Sequence, residues 1–154
     1  IFEWVQAGVR GGLQFYIYPP DGGPGTLYAL MVDTRGSAHY FHSVPGAVVP
    51  DSYQYVTLTY DKASGLGKIY CNGTLVAQQY LGTFDFQTSC DLYLGKRPLV
   101  NGETYQFNGI IDEAAIYDRA LSAAEIRKIC TADNDGEALP PPPERPHGSG
   151  PFFQ

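Results

Sequence analysis

No apolar run in the 154-residue chain approaches the roughly 20 residues that a membrane-spanning helix needs. The opening residues, IFEWVQAG, carry no charged and apolar leader, so the expectation is a mature product or a fragment. Basic residues are scarce. Ten Lys and Arg against sixteen Asp and Glu leave a net charge of −6, which opposes binding to phosphate backbones and anionic lipid. Nucleic acid and membrane partners are therefore not expected. The three cysteines, Cys71, Cys90 and Cys130, have no CxxC spacing, which argues against a zinc site or a thioredoxin-like motif. Their odd number leaves at least one outside any bridge within the chain.

Catalytic patterns are also missing. Glycosidases need two carboxylates facing each other across a cleft, and neighbouring Asp112 and Glu113 point to opposite sides of a regular strand. None of His39, His42 and His147 sits in a recognisable nucleophile motif. The expectation is a protein that is not an enzyme, and turnover abolished by Glu113→Gln is the result that would oppose it.

What the chain does contain is glycine, proline and tyrosine, with 18, 12 and 12 copies, and only 17% charged residues. That mixture suits short strands, tight turns and half-buried pleated surfaces. Residues 13–18 (LQFYIY) alternate with a period of two: Leu13, Phe15 and Ile17 on one face, Gln14, Tyr16 and Tyr18 on the other. A turn-rich run, PPDGGPG, precedes a continuous apolar strand at residues 27–32, and residues 38–42 pair back after DTRGS. Residues 53–60 alternate again, with Val56, Leu58 and Tyr60 opposite Tyr53, Tyr55, Thr57 and Thr59. Between strands at 68–71 and 74–78, Asn72-Gly73 tolerates the positive φ of a two-residue type I′ hairpin turn. Ile69 and Cys71 share a side there, which makes Cys71 a small core residue. One all-β domain is the reading, with enough residues for a core without metal or disulfide staples.

Residues 107–126, FNGIIDEAAIYDRALSAAEI, join an apolar strand to a helix start. Ile111 differs in parity from Ala114 and Ile116, so a β-bulge at Asp112 and Glu113 is expected. Ser122 with Glu125 forms a capping box for a short helix ending near Cys130. With the hairpin strands of residues 53–77 and DLYLGKR at 91–97, this region resembles the laminin G-like, concanavalin A-type jelly-roll family and its pentraxin branch. The resemblance implies an antiparallel β-sandwich with one short C-terminal helix. It places the domain at residues 1–132 and a proline-rich tail or linker at 133–154, where residues 140–143 favour polyproline II. It also implies an extracellular or cell-surface binding module whose partner is a glycan or an extracellular protein.

Several sites follow from position. Asp33, Asp51 and Asp112 are candidate rim ligands for a structural calcium ion, with turn capping as the alternative, because no DxDxDG-like loop is present. His39 and His42, three apart on a strand, face opposite sides and do not share a metal. Tyr16, Tyr18, Tyr53, Tyr55 and Tyr70 fall opposite the aliphatic residues of their strands. Such rings stack on pyranose faces, or serve protein interfaces, or are simply good strand formers. Asn72-Gly73-Thr74 is a glycosylation sequon, and Cys90 with Cys130 is the expected disulfide, since neither fits the core alternation as Cys71 does. Relatives of this kind have strands before the position of residues 1–4, so the chain reads as starting inside the fold. Three explanations compete: a compact variant, a chain that is part of a longer one, or a neighbouring copy that covers the edge, the last making a polymer with the tail ending in Pro151, Phe152, Phe153 and Gln154 as a docking element. A structural subunit of an extracellular filament is thus the second functional expectation.

Overall fold

The computed structural model describes residues 1–5, 12–18, 23–100 and 103–134. Among the described residues are ten strands and one helix: β1 Phe2–Trp4, β2 Leu13–Ile17, β3 Leu27–Val32, β4 Ala38–His42, β5 Val56–Asp61, β6 Leu66–Cys71, β7 Thr74–Tyr80, β8 Leu92–Leu94, β9 Lys96–Val100, β10 Glu103–Gln106 and α1 Ala123–Asn134. A five-stranded antiparallel sheet in the order β4-β3-β2-β1-β8 faces a three-stranded sheet in the order β5-β6-β7, and β9 pairs with β10 beside them. This is the expected all-β sandwich.

The core lies where the alternation placed it. Phe15, Leu27, Ala29, Met31 and Phe41 of one sheet meet Ile69 and Cys71 of the other, all buried. Burying each large member removes about 1.5 to 3 kcal/mol worth of apolar surface from water. The two sheets pack closely at Gly67, where an added Cβ would lie 2.7 Å from Leu81 Cδ1 and 2.8 Å from Phe41 Cε1. One end of the sandwich is plugged by aromatics: His39 stacks on Phe84 at 3.9 Å, and Tyr60 packs on Phe84 and Phe86. The Tyr60 hydroxyl donates to Gly82 O (2.8 Å) and accepts from Phe84 N–H (3.0 Å), tying residues 82–86 to β5.

A second, smaller core joins the helix to the outer face of the three-stranded sheet through Tyr70, Leu121, Ile126 and Ile129. The helix begins as the sequence indicates: Ser122 N–H donates to Glu125 Oε2 (2.7 Å) and Glu125 N–H to Ser122 Oγ (3.3 Å). It continues to Asn134 rather than stopping near Cys130, so the boundary expected after residue 132 falls inside it. No glycine or proline intervenes before Gly136 to break the helical pattern. The Asn72-Gly73 turn has φ of 49° and 73°, and Cys71 pairs with Thr74 across it, the geometry that type I′ demands.

Residues 107–122 correct the sequence reading. They form no strand, and the bulge expected at Asp112 and Glu113 has no ladder to interrupt. Glu113 instead takes a φ of 51°, and its N–H bonds Asp112 Oδ1 at 3.0 Å, a local turn in place of cross-strand pairing. Ile111 and Ile116, expected to face inward, are 36% and 60% exposed. The apolar pattern is that of a strand, but no described strand runs beside it to pair with it.

Candidate functional site

The outer face of the five-stranded sheet collects one aromatic residue after another. Alternation turns Phe15, Ala29 and Phe41 inward, so their neighbours Tyr16, Tyr28, Tyr40 and His42 turn outward. Register then aligns them, with Tyr16 opposite Tyr28 and Tyr28 opposite His42. Ring centroids lie 5.2 Å apart for Tyr16 and Tyr28, 6.0 Å for Tyr28 and Tyr40, and 6.2 Å for Tyr28 and His42. The last two pairs are within 12° of parallel, offset at that separation rather than face to face. Tyr18, just beyond β2, adds a ring 5.7 Å from Tyr16 and 5.4 Å from Tyr28. The row is half-buried at Tyr16, Tyr18 and Tyr28 and open at Tyr40 and His42. Its rings therefore keep a fixed position while offering their surfaces to solvent.

At the β1 end stands an ion pair. Arg97 Nε donates to both carboxylate oxygens of Glu3 at 2.8 Å, Nη2 reaches Gln14 Oε1 at 3.2 Å, and the guanidinium lies 5.1 Å from the Tyr16 ring centre. Glu3 is 4% exposed, so its pairing with Arg97 offsets the cost of burying the two groups. The bonds to Glu3 hold the Arg97 pKa above its ordinary value. Burial pushes the Tyr16 phenol up, with Arg97 opposing. At the other end, His42 Nδ1 lies 2.9 Å from Ser43 O; a carbonyl only accepts, so Nδ1 carries hydrogen and turns Nε2 outward. Past β4 the face rounds into a groove lined by Tyr40, His42, Gln79, Tyr80 and Leu81, and Gln79 Nε2 approaches Tyr40 O at 3.5 Å.

Of the five tyrosines singled out, Tyr16 and Tyr18 belong to this row. Tyr70 does not: it is 3% exposed beneath the helix, because the outer face of β6 is covered by Leu121, Ile126 and Ile129. Tyr53 and Tyr55 precede β5 in the other sheet; Tyr53 is 74% exposed, while Tyr55 packs at the helix core and its N–H bonds Asn72 Oδ1. Tyr28, Tyr40, His42, Glu3, Gln14 and Arg97 were missed. Tyr28 hides in a run that reads as wholly apolar, and the remainder are placed only by register between strands.

The three aspartates are not brought together. Asp33 is buried in the β3–β4 turn, where Oδ1 accepts from the N–H groups of Arg35 (2.9 Å) and Ser37 (2.8 Å) and Oδ2 lies 3.4 Å from His39 Nε2. The Ser37 N–H, foremost, holds its carboxyl below the usual range. Asp51 occupies an exposed turn at φ 58°, and Asp112 caps Glu113. Among the described residues no three His, Cys, Asp or Glu side chains converge. His39 faces the aromatic plug and His42 the row, opposite sides as their spacing dictates.

The Cys90–Cys130 bridge is not formed: Cys71 and Cys90 are free thiols and Cys130 is joined to neither. Cys130 lies on the helix, near enough to Cys71 to raise that thiol's pKa, although burial is the larger cause. Cys90 sits in the loop before β8, and burial raises its thiol too, foremost, with Asp91 adding to it. Raised thiols are poor nucleophiles. Asn72 is exposed at its turn.

Among the described residues no helix is long and apolar enough to cross a membrane. No curated protein matches the chain significantly. A solved structure similar to it is that of an S-layer domain-containing protein from Clostridium thermocellum, residues 221–444, at 23% identity and a TM-score of 0.46, covering 83% of this chain and 67% of that one. Residues 2–127 match the Laminin_G_3 family, described as the concanavalin A-like lectin/glucanases superfamily. With most of its length matched, the chain belongs to that superfamily.

Proposed function

We propose that this protein is a non-catalytic carbohydrate-binding module acting outside the cell or at its surface, and that its binding face is the aromatic row of β2, β3 and β4. The observation that carries the reading is the alignment of Tyr16, Tyr28 and His42 across three strands with Tyr40 beside them. Aromatic faces stack on the apolar faces of pyranoses, while phenol, imidazole and amide groups at the margins bond sugar hydroxyls. Glu3, a carboxylate beside the row, is bound at both oxygens by Arg97, which favours holding a sugar over cleaving one. An exposed sequon at Asn72 suits the same location.

A glycan array probed with the wild type and with Tyr28→Ala tests this. Binding by the wild type that weakens at least about tenfold in the variant is expected; equal signals would overturn the assignment to this face. Calcium at Asp33 competes with the turn that already uses its Oδ1, so a melting curve unchanged by chelator is expected.

A second reading, a subunit of an extracellular filament, is favoured by the exposed Ile110, Ile111 and Ile116 on residues 107–122. The tail proposed to dock lies outside the described residues. Sedimentation velocity across a concentration series separates the readings: growth of large species supports the filament, and a constant monomer supports the module alone.

A further inference from the structure

We infer that the ligand of the aromatic row is a neutral, extended polysaccharide of equatorially linked pyranoses, several units of which bind at once with the chain lying across the strands. This rests on the carbohydrate-binding reading and goes further by fixing polymer shape and charge.

The first argument is spacing. The site is a line of rings, not an enclosed pocket, with one step per strand: 5.2 Å from Tyr16 to Tyr28, then 6.2 Å from Tyr28 to His42. Neighbouring strands in a sheet are about 4.8 Å apart, so each step is one strand widened by the lean of the side chains. An extended chain of equatorially linked pyranoses advances by a similar distance per sugar. It also presents flat faces whose axial hydrogens are apolar. An axially linked chain curls and leaves the row after one or two contacts. The line does not end at the sheet, because past Tyr40 it meets Tyr80, 69% exposed, and Gln79 in the groove beside β4. A single terminal sugar would leave most of these rings unused.

The second argument is charge. Arg97, the cation beside the row, is held by both oxygens of Glu3 and by Gln14, so its charge is already neutralised. The whole chain carries −6. Among the described residues an anionic polymer would meet no uncompensated cation here, and the net charge of the chain would repel it at long range.

The test is calorimetric titration of the full chain with β-1,4-linked glucose oligomers of one to six units, with maltohexaose, and with β-1,4-linked mannuronate oligomers as the acidic series. Affinity for the glucose series should rise roughly tenfold or more between two and four units and then level off. Maltohexaose and the mannuronates should bind at least about tenfold more weakly than the matched glucose oligomer. Tyr28→Ala, at the middle of the row, should flatten the length dependence. Binding independent of length, or preference for the mannuronates, would overturn the inference while leaving the carbohydrate reading intact. Binding to none of these sugars nor to any array glycan would remove both.

Discussion

Gly67 sits where the packing leaves no room for a side chain. Its position in β6 faces the ring of Phe41 from the opposite sheet, and a methyl group there would sit at 2.7 to 2.8 Å from Leu81 and Phe41. Phe41 is buried and cannot swing aside freely. Gly67→Ala is therefore expected to destabilise the domain by about 1 to 3 kcal/mol, the usual cost of overpacking, measured by urea denaturation. An unchanged midpoint would mean that the sheets are not held at this separation. The Glu3–Arg97 pair acts at the same scale in the opposite sense. Replacing Arg97 by Met strands a buried carboxylate, and a loss of about 3 kcal/mol is expected. The alternation that buries Phe15 and Ile69 could be read from the sequence because a period of two needs only neighbours along the chain. Tyr28 could not be assigned that way, since its run LYALMV has no polar partner to mark a face. Tyr70 misled for a related reason: alternation says which side a residue faces, not whether a helix later covers that side.

Among the elements, the helix has the clearest local cause. Ser122 and Glu125 exchange bonds at its start, and Arg119 adds Nη1 to Glu125 Oε2 at 3.1 Å and Nη2 to Oε1 at 2.6 Å. Arg119 foremost, then Ser122, lowers the Glu125 carboxyl from its ordinary 4.5 to about 2. A lowered folded-state pKa gives stability that is complete above the unfolded value and is lost as pH falls. The Glu125 contribution should thus fade between about pH 4.5 and pH 2. Melting temperatures of wild type and Glu125→Gln should differ at pH 7 and converge near pH 2; a constant gap would rule out the charge as the cause. Ser122→Ala should cost about 1 kcal/mol at neutral pH. The cap and the Asn72-Gly73 turn were legible because each is a motif of adjacent residues. The strand expected in residues 107–116 was not, because a strand needs a neighbour, and its apolar pattern cannot name one.

For the whole molecule, the packing of two sheets and a helix decides which aromatic residues are covered and which are aligned on an outer face. The inner faces are apolar and the helix covers Tyr70 on the outside of β6, whereas the exterior of β2, β3 and β4 sets aromatic rings in line across three strands. Sandwich, hairpins and helix were readable from periodicity. The site was half readable, Tyr16 and Tyr18 from their alternation, and the rest emerged only when register set Tyr28 and His42 in line. The most direct measurement is the shift of aromatic ring resonances on titration of the full chain with a β-1,4-linked glucose hexamer. Shifts at Tyr16, Tyr18, Tyr28, Tyr40 and His42, with Tyr53 and Tyr70 unmoved, are expected. Shifts confined to Tyr53 or to the rim loops around Asp51 and Asp112, or none at all, would contradict binding by this face.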